Sequence, residues 1–469
     1  MDKGNPKTLL ASFLLFVFLL LSVSGSHSIV SAQEIQLPPI EKTTLDNGLK
    51  VIVIEHHELP VVAFRMVFKT GSASDPSGKA GLADLTAGLL RKGTESRTAT
   101  QIAEEIDFVG GSLGAGSGRD ATYATCTVLK KHFDVGLDLL SDIILSPTFA
   151  DDEIERLRKQ TLAAIKQQKD DPGSVAEEKF REFLFGNHPY GQPSEGTETS
   201  VAALTKDDIV NFHQTYYVPN NAILAVVGDV KHEDALIKVK AKLSGWKGGQ
   251  VAAPGYVQPP AIKGYQILLV DKPDLTQTYI RMGHLGVERS NPDYFAVKVM
   301  NYILGGGGFS SRMMDEIRSQ RGLTYGIGCN FDYNKLQGAY TVSTFTQNDS
   351  TAAAIAAIIE QIENFRAAGP SDKELADTKS FYTGYFPLQL ETPSQIATEI
   401  LNVELYDLGE DYLKSYRKNI NAVTRADVQR VAQKYLDPKN LKLVVVSKAE
   451  DVKASLEPLG SLKVTSFLE

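Results

Sequence analysis

VAALTKDDIVNFHQTYYVPNNAILAVV, residues 201–227, returns as INAVTRADVQRVAQKYLDPKNLKLVVV at residues 420–446, at a constant offset of 219 residues and without a gap. Ala203, Thr205, Asp208, Gln214, Tyr216, Pro219, Asn221 and Leu224 meet Ala422, Thr424, Asp427, Gln433, Tyr435, Pro438, Asn440 and Leu443. The unit is physically legible. Thr205 and Thr424 read as helix N-caps, each with an acidic residue three positions on, as in a capping box. A short amphipathic helix follows, Pro219 or Pro438 ends it, and an apolar β-rich strand comes next. One domain is therefore written twice, and a period this long excludes short solenoid repeats.

Working outward, looser recurrences fill both halves. Two strands open each half, at 49–55 and 61–69 in the first and at 265–270 and 279–285 in the second. A helix follows each pair, at 80–90 and 294–304. Further strands are expected around 123–129 and 339–345, then helices around 134–144 and 352–365, then helix starts near Asp152 and Asp372. Strands and helices that do not strictly alternate predict an α+β class. Two homologous tandem domains follow, each a mostly antiparallel sheet with helices packed on one face. The Gly/Pro-rich run at 248–260 reads as the joint. The expected division is a signal peptide at 1–32, a first α+β domain at 33–247, a linker at 248–262 and a second α+β domain at 263–469.

Composition narrows the function. Lys3 and Lys7, an apolar stretch at 9–23 and the small residues Val30, Ser31 and Ala32 have the layout of a cleaved secretory signal. An uncleaved anchor is the alternative. A periplasmic or secreted location is expected. A net charge of −8, with no basic stripe, excludes nucleic acid as a natural partner. The two cysteines, Cys126 and Cys329, fall in different halves and are expected to be separate buried thiols. No two of the eight histidines stand three to five residues apart, the spacing that puts two ligands on one helix face. Neither Ser117 in AGSGRD nor Ser310 and Ser311 in GGFSSR forms a G-x-S-x-G elbow, and the run at 305–308 is not followed by G-K-[ST]. That glycine run reads as a tight helix-to-helix connection.

Four segments carry a resemblance. They are LDNGLKVIVIEHHELPVV at 45–62, GLADLTAGLLRKGT at 81–94, FGNHPYGQP at 185–193 and LGGGGFSSRMMDEIRSQRGLTYGI at 304–327. Together they resemble the pitrilysin and mitochondrial-processing-peptidase family, the inverzincins, over nearly the whole mature chain. In that family H-x-x-E-H supplies two imidazole zinc ligands one helical turn apart, with a carboxylate base between them. The matching positions here are Asp84, Ala87 and Gly88. The family's third ligand, a glutamate, falls by register near Ser174, with Glu177 and Glu178 close behind. The resemblance thus implies that this chain holds no metal, and that a homologous partner keeps H-x-x-E-H and the zinc.

The family's last motif carries an Arg and a Tyr seven residues apart that contact substrate, and they match Arg318 and Tyr325. A guanidinium fork suits a peptide carbonyl or carboxylate, and a phenol suits a developing oxyanion. From spacing alone, Arg318 reads as a solvated helix residue and Tyr325 as a strand aromatic. The resemblance favours the functional role, with Gly305, Gly306, Gly307, Gly308, Phe309 and Ser310 shaping the peptide site beside them. A helix at 313–319, a left-handed Gly322 and a strand from Leu323 would bring the pair together. The expected function is the metal-free subunit of a heterodimeric zinc peptidase acting on unstructured peptides, inactive alone. Alternatives are an inert scaffold or peptide-binding chaperone, a complete enzyme with another nucleophile, and a structural subunit of an envelope assembly.

Overall fold

A computed structural model describes residues 37–252 and 255–467; the expected signal segment lies outside the described residues. Among the described residues, no helix is long and apolar enough to cross a membrane.

The repeated unit folds as its residues dictate. Lys206–Tyr216 and Arg425–Tyr435 are helices of equal length, and both start in full capping boxes. Thr205 Oγ1 accepts from the Asp208 N–H at 3.2 Å and Asp208 Oδ2 accepts from the Thr205 N–H at 3.0 Å. Thr424 and Asp427 repeat both bonds, at 3.1 and 3.0 Å. The strands that follow, Ala222–Gly228 and Leu441–Ser447, are buried at every position. Burial on both faces explains their unbroken apolar runs.

Twelve strands among the described residues form two six-stranded mixed sheets. The first half supplies β1 (Ile40–Thr44), β2 (Lys50–Glu55), β3 (Val61–Phe68), β4 (Ser112–Ser117), β5 (Thr122–Leu129) and β6 (Ala222–Gly228), in the order β1-β2-β6-β3-β5-β4. The second half supplies β7 (Tyr265–Asp271), β8 (Gln277–Leu285), β9 (Ile327–Tyr333), β10 (Gln337–Gln347), β11 (Leu441–Ser447) and β12 (Ser461–Ser466), in the order β12-β7-β11-β8-β10-β9. Most pairs are antiparallel, and the parallel pairs β2–β6 and β7–β11 occupy the same place in each sheet. The halves differ at one edge. β1 pairs antiparallel with β2 from upstream, whereas β12 pairs parallel with β7 from downstream.

Each sheet carries helices of its own half on one face, Phe133–Leu145 on the first and Thr351–Ala368 on the second. The other face is covered by a helix from the opposite half. Helix Pro172–Phe185 packs on β8 and β11, and its counterpart Pro393–Leu405 packs on β3 and β6. Val175, Phe180, Leu184 and Phe185 share one apolar core with Val270, Val444 and Val446. Each fully buried side chain of this size stabilises by about 1.5–3 kcal/mol. Lys42 and Lys50 both pair with Glu404 of the exchanged helix at 2.8 Å. Burial opposes ionisation of Glu404, but bonds from the two lysines hold it below the usual carboxylate range.

The expected helices and strands fall within a few residues of their observed bounds, with two differences. The helix expected at 294–304 is α-helical at Tyr294–Asn301 and widens to a π-turn at Tyr302–Gly306. The strand expected from Leu323 begins at Ile327, because Thr324 Oγ1 donates to the Phe345 carbonyl and ties the preceding residues to β10 as a connection. Cys126 and Cys329 are unpaired and buried in different sheets, and burial pushes both thiols up to about 12.

Candidate functional site

Two loci matter, one in each half. The first is helix Leu82–Leu89, which carries the degenerate positions. Its start is fixed by Asp75, whose carboxylate accepts from the Gly81 and Ala83 N–H groups, each at 2.9 Å. Burial pushes Asp75 up to about 7 in spite of these donors. Gly81 is left-handed at φ +92, and a Cβ there would meet the Glu195 carbonyl oxygen at 2.6 Å, so glycine is required. Asp84 is mostly buried and pushed up to about 6, by desolvation first and by the charge of Glu195 second. Ala87 is fully buried. Gly88 lies against helix Asp151–Gln168, where a Cβ would sit 3.0 Å from Leu157 Cδ2.

These residues do not fit a zinc ion. One carboxylate drawn toward neutrality, one methyl group and one position without a side chain offer no imidazole and no base. Among the described residues, no group of three or more His, Cys, Asp or Glu is placed to hold a metal. The third-ligand register needs correction. The helix packed on Leu82–Leu89 through Leu157 is Asp151–Gln168, whereas Ser174 lies in the first turn of the next helix, its N–H bonded to Asp171 at 2.7 Å. Glu177, one turn on, is engaged by Arg181 at 2.9 Å and Arg281 at 3.2 Å. A register counted back from a turn motif cannot see which helix of a hairpin faces inward.

The second locus holds Arg318 and Tyr325. Arg318 sits on a π-turn, Met314–Gln320, a geometry frequent at functional sites. Gly322 ends the turn at φ +65, with the Leu323 N–H bonded to the Ile317 carbonyl at 3.0 Å. Residues 323–326 are pinned to β10 through Thr324, Thr344 and Thr346. Arg318 Nε donates to the Tyr325 carbonyl at 3.1 Å, and this is its only side-chain hydrogen bond among the described residues. Arg321, three residues on, pairs with Glu316 at 3.0 Å and Glu360 at 2.8 Å. Arg318 and Tyr325 line one open cleft with Gln277, Ser319, Gln347 and Ser350, and Tyr325 is 79% exposed. The fold thus brings the two residues together.

The glycine run divides by role. A Cβ on Gly305 would meet Cys329 Sγ at 2.7 Å, one on Gly306 would meet Asn301 Nδ2 at 2.6 Å, and one on Gly307 would meet the Tyr302 carbonyl oxygen at 2.8 Å. Close packing of the π-turn therefore demands these three. Gly308 is left-handed at φ +57 in open space. Gly305, Gly306 and Gly308 also border a shallow cleft with Glu177 and Arg181 of the first half. Phe309 is exposed, and Ser310 Oγ closes the turn on the Gly307 carbonyl at 2.7 Å. Asp75 was not readable from sequence, since nothing local marks a cap seven residues before the helix.

The family model described as insulinase (peptidase family M16) matches residues 50–198, and that described as peptidase M16 inactive domain matches residues 203–382. An uncharacterised zinc protease of Mycobacterium leprae is 31% identical over 84% of this chain and 89% of its own length. A protein of Helicobacter pylori named a non-peptidase homologue is 26% identical over 86% of this chain and 93% of its own. A solved peptidase M16 inactive domain from Pseudomonas fluorescens superposes with a TM-score of 0.82 at 29% identity, covering 87% of this chain and 98% of that one.

Proposed function

Because the chain belongs to the M16 peptidase family, we propose that it is the metal-free subunit of a two-chain zinc peptidase. One observation carries this reading: Arg318 and Tyr325 share an open cleft while Asp84, Ala87 and Gly88 retain no ligand set. A homologous partner with H-x-x-E-H is the source of zinc, which activates water for attack on a peptide bond. In this chain, the unengaged end of the Arg318 guanidinium binds a peptide carbonyl or carboxylate, and the Tyr325 hydroxyl donates to the oxyanion. Unstructured peptides are the substrate class, because an extended backbone can follow the sheet surface beside the cleft. The layout of residues 1–32 supports action outside the cytoplasm.

The test is co-purification with the homologous chain, followed by peptide hydrolysis by each chain and by the pair. Only the pair is expected to cleave. In the pair, Tyr325→Phe should lower kcat by about 10²–10³, the usual effect of removing one oxyanion donor. Arg318→Ala should lower kcat/KM, and neither change should disturb assembly. The chain alone should hold less than one equivalent of zinc after dialysis. Cleavage by the lone chain in excess chelator would sink the divided-site reading.

The second reading is an inert scaffold or peptide-binding chaperone, favoured by the name of the Helicobacter pylori relative. Undiminished cleavage by assembled Arg318→Ala and Tyr325→Phe pairs would select it.

A further inference from the structure

The Arg318 guanidinium lies over the ring of Phe309, 5.0 Å from its centroid, while Nε is bonded to the Tyr325 carbonyl at 3.1 Å. Phe309 is 77% exposed, so burial is not what this ring contributes. Its backbone is nevertheless held firmly. Ser310 Oγ donates to the Gly307 carbonyl and Ser311 Oγ to the Gly308 carbonyl, both at 2.7 Å. Ser311 is buried and Gly305–Gly307 are closely packed, so the backbone on either side of Phe309 is anchored.

We propose that Phe309 is a positioning residue, a platform that orients the Arg318 guanidinium so that its terminal nitrogens face the cleft shared with Tyr325. The function deepened here is that of the divided site proposed above. Arginine side chains lose considerable freedom when fixed, and a lone Nε bond leaves rotation about the outer torsions. A ring face removes that freedom without consuming a donor. Glu316 and Glu360 are both paired with Arg321. A glycine-rich turn is suited to this task because its tight path sets the ring at a fixed height above the π-turn. The loop thereby acts on the reacting peptide through Arg318 rather than by touching it.

Two measurements test this. In the full chain labelled with ¹⁵N-arginine, the Arg318 Nε–H resonance, assigned with Arg318→Lys, should be ring-shifted and protected from exchange. Phe309→Leu should abolish the ring shift and speed exchange by about two- to fivefold, the population effect of an exposed cation–π contact. Phe309→Tyr should preserve both. An Arg318 signal indifferent to Phe309→Leu overturns the proposal. In the two-chain complex, Phe309→Leu should lower kcat/KM by a similar factor and have no further effect in an Arg318→Ala background. An equal loss in that background means Phe309 acts on substrate by itself, which also overturns the proposal. Should Arg318→Ala cleave like wild type, the divided-site reading falls, while the resonance experiment still decides the platform.

Discussion

Asp84 is a carboxylate in a place that penalises its charge. Its ordinary value of 3.8 is raised to about 6, chiefly by desolvation and then by Glu195. The folded state therefore holds a proton that the unfolded chain releases across that window. The corresponding stability is complete below about 3.8 and is lost as pH rises through about 6. Asp84→Asn is expected to raise the urea midpoint near pH 8 more than near pH 4. Equal shifts at the two pH values would show that charge burial is not the cause.

At the scale of elements, helix Leu82–Leu89 has become a packing helix. Gly88 leaves room for Leu157, whose Cδ2 a Cβ would crowd at 3.0 Å, so with a larger residue there the Leu157 side chain or its helix must give way. Gly88→His is expected to destabilise by about 1–3 kcal/mol through overpacking. Leu157→Ala should relieve part of that loss, so the double variant should be less destabilised than the sum of the single ones. Additive midpoint shifts in a urea titration would refute the contact. Restoring Asp84→His, Ala87→Glu and Gly88→His together should consequently yield a weakened fold rather than an efficient peptidase, because the groups that orient a ligand set are missing as well.

For the whole molecule, the two halves exchange their covering helices. Helix Pro172–Phe185 belongs to the first half by sequence and to the second sheet by packing. A second tie joins the sheets at their turns. The Tyr190 hydroxyl donates to Asp120 and accepts from the Leu336 N–H at 3.2 Å, while the Lys335 N–H donates to the other Asp120 oxygen at 2.7 Å. Residues 33–247 expressed alone should therefore lack a cooperative unfolding transition, because Phe180, Leu184 and Phe185 would face water. Mixing with residues 263–469 should restore one. A sharp urea transition for the isolated first half would contradict the exchange. The FGNHPYGQP motif owes its pattern to this tie: His188 Nδ1 accepts from the Tyr190 N–H at 3.1 Å and shapes the turn.

Sequence by itself determined the duplicated unit, because caps, proline stops and continuous apolar strands are local signals that tertiary context did not override. It also determined the absence of imidazoles at Asp84 and Gly88, whereas Arg318 and Tyr325 stood out only through the family resemblance. Less was legible of the edge strands: β1, β4 and β12 are exposed or rich in small residues and carry no strong alternation. Only the tertiary structure decided that each sheet is covered by the other half's helix, that Leu157 faces Gly88, and that Phe309 stands under Arg318. Such facts depend on contacts between residues far apart in the chain. A helix's periodicity tells which of its faces is apolar, never which sheet that face will meet.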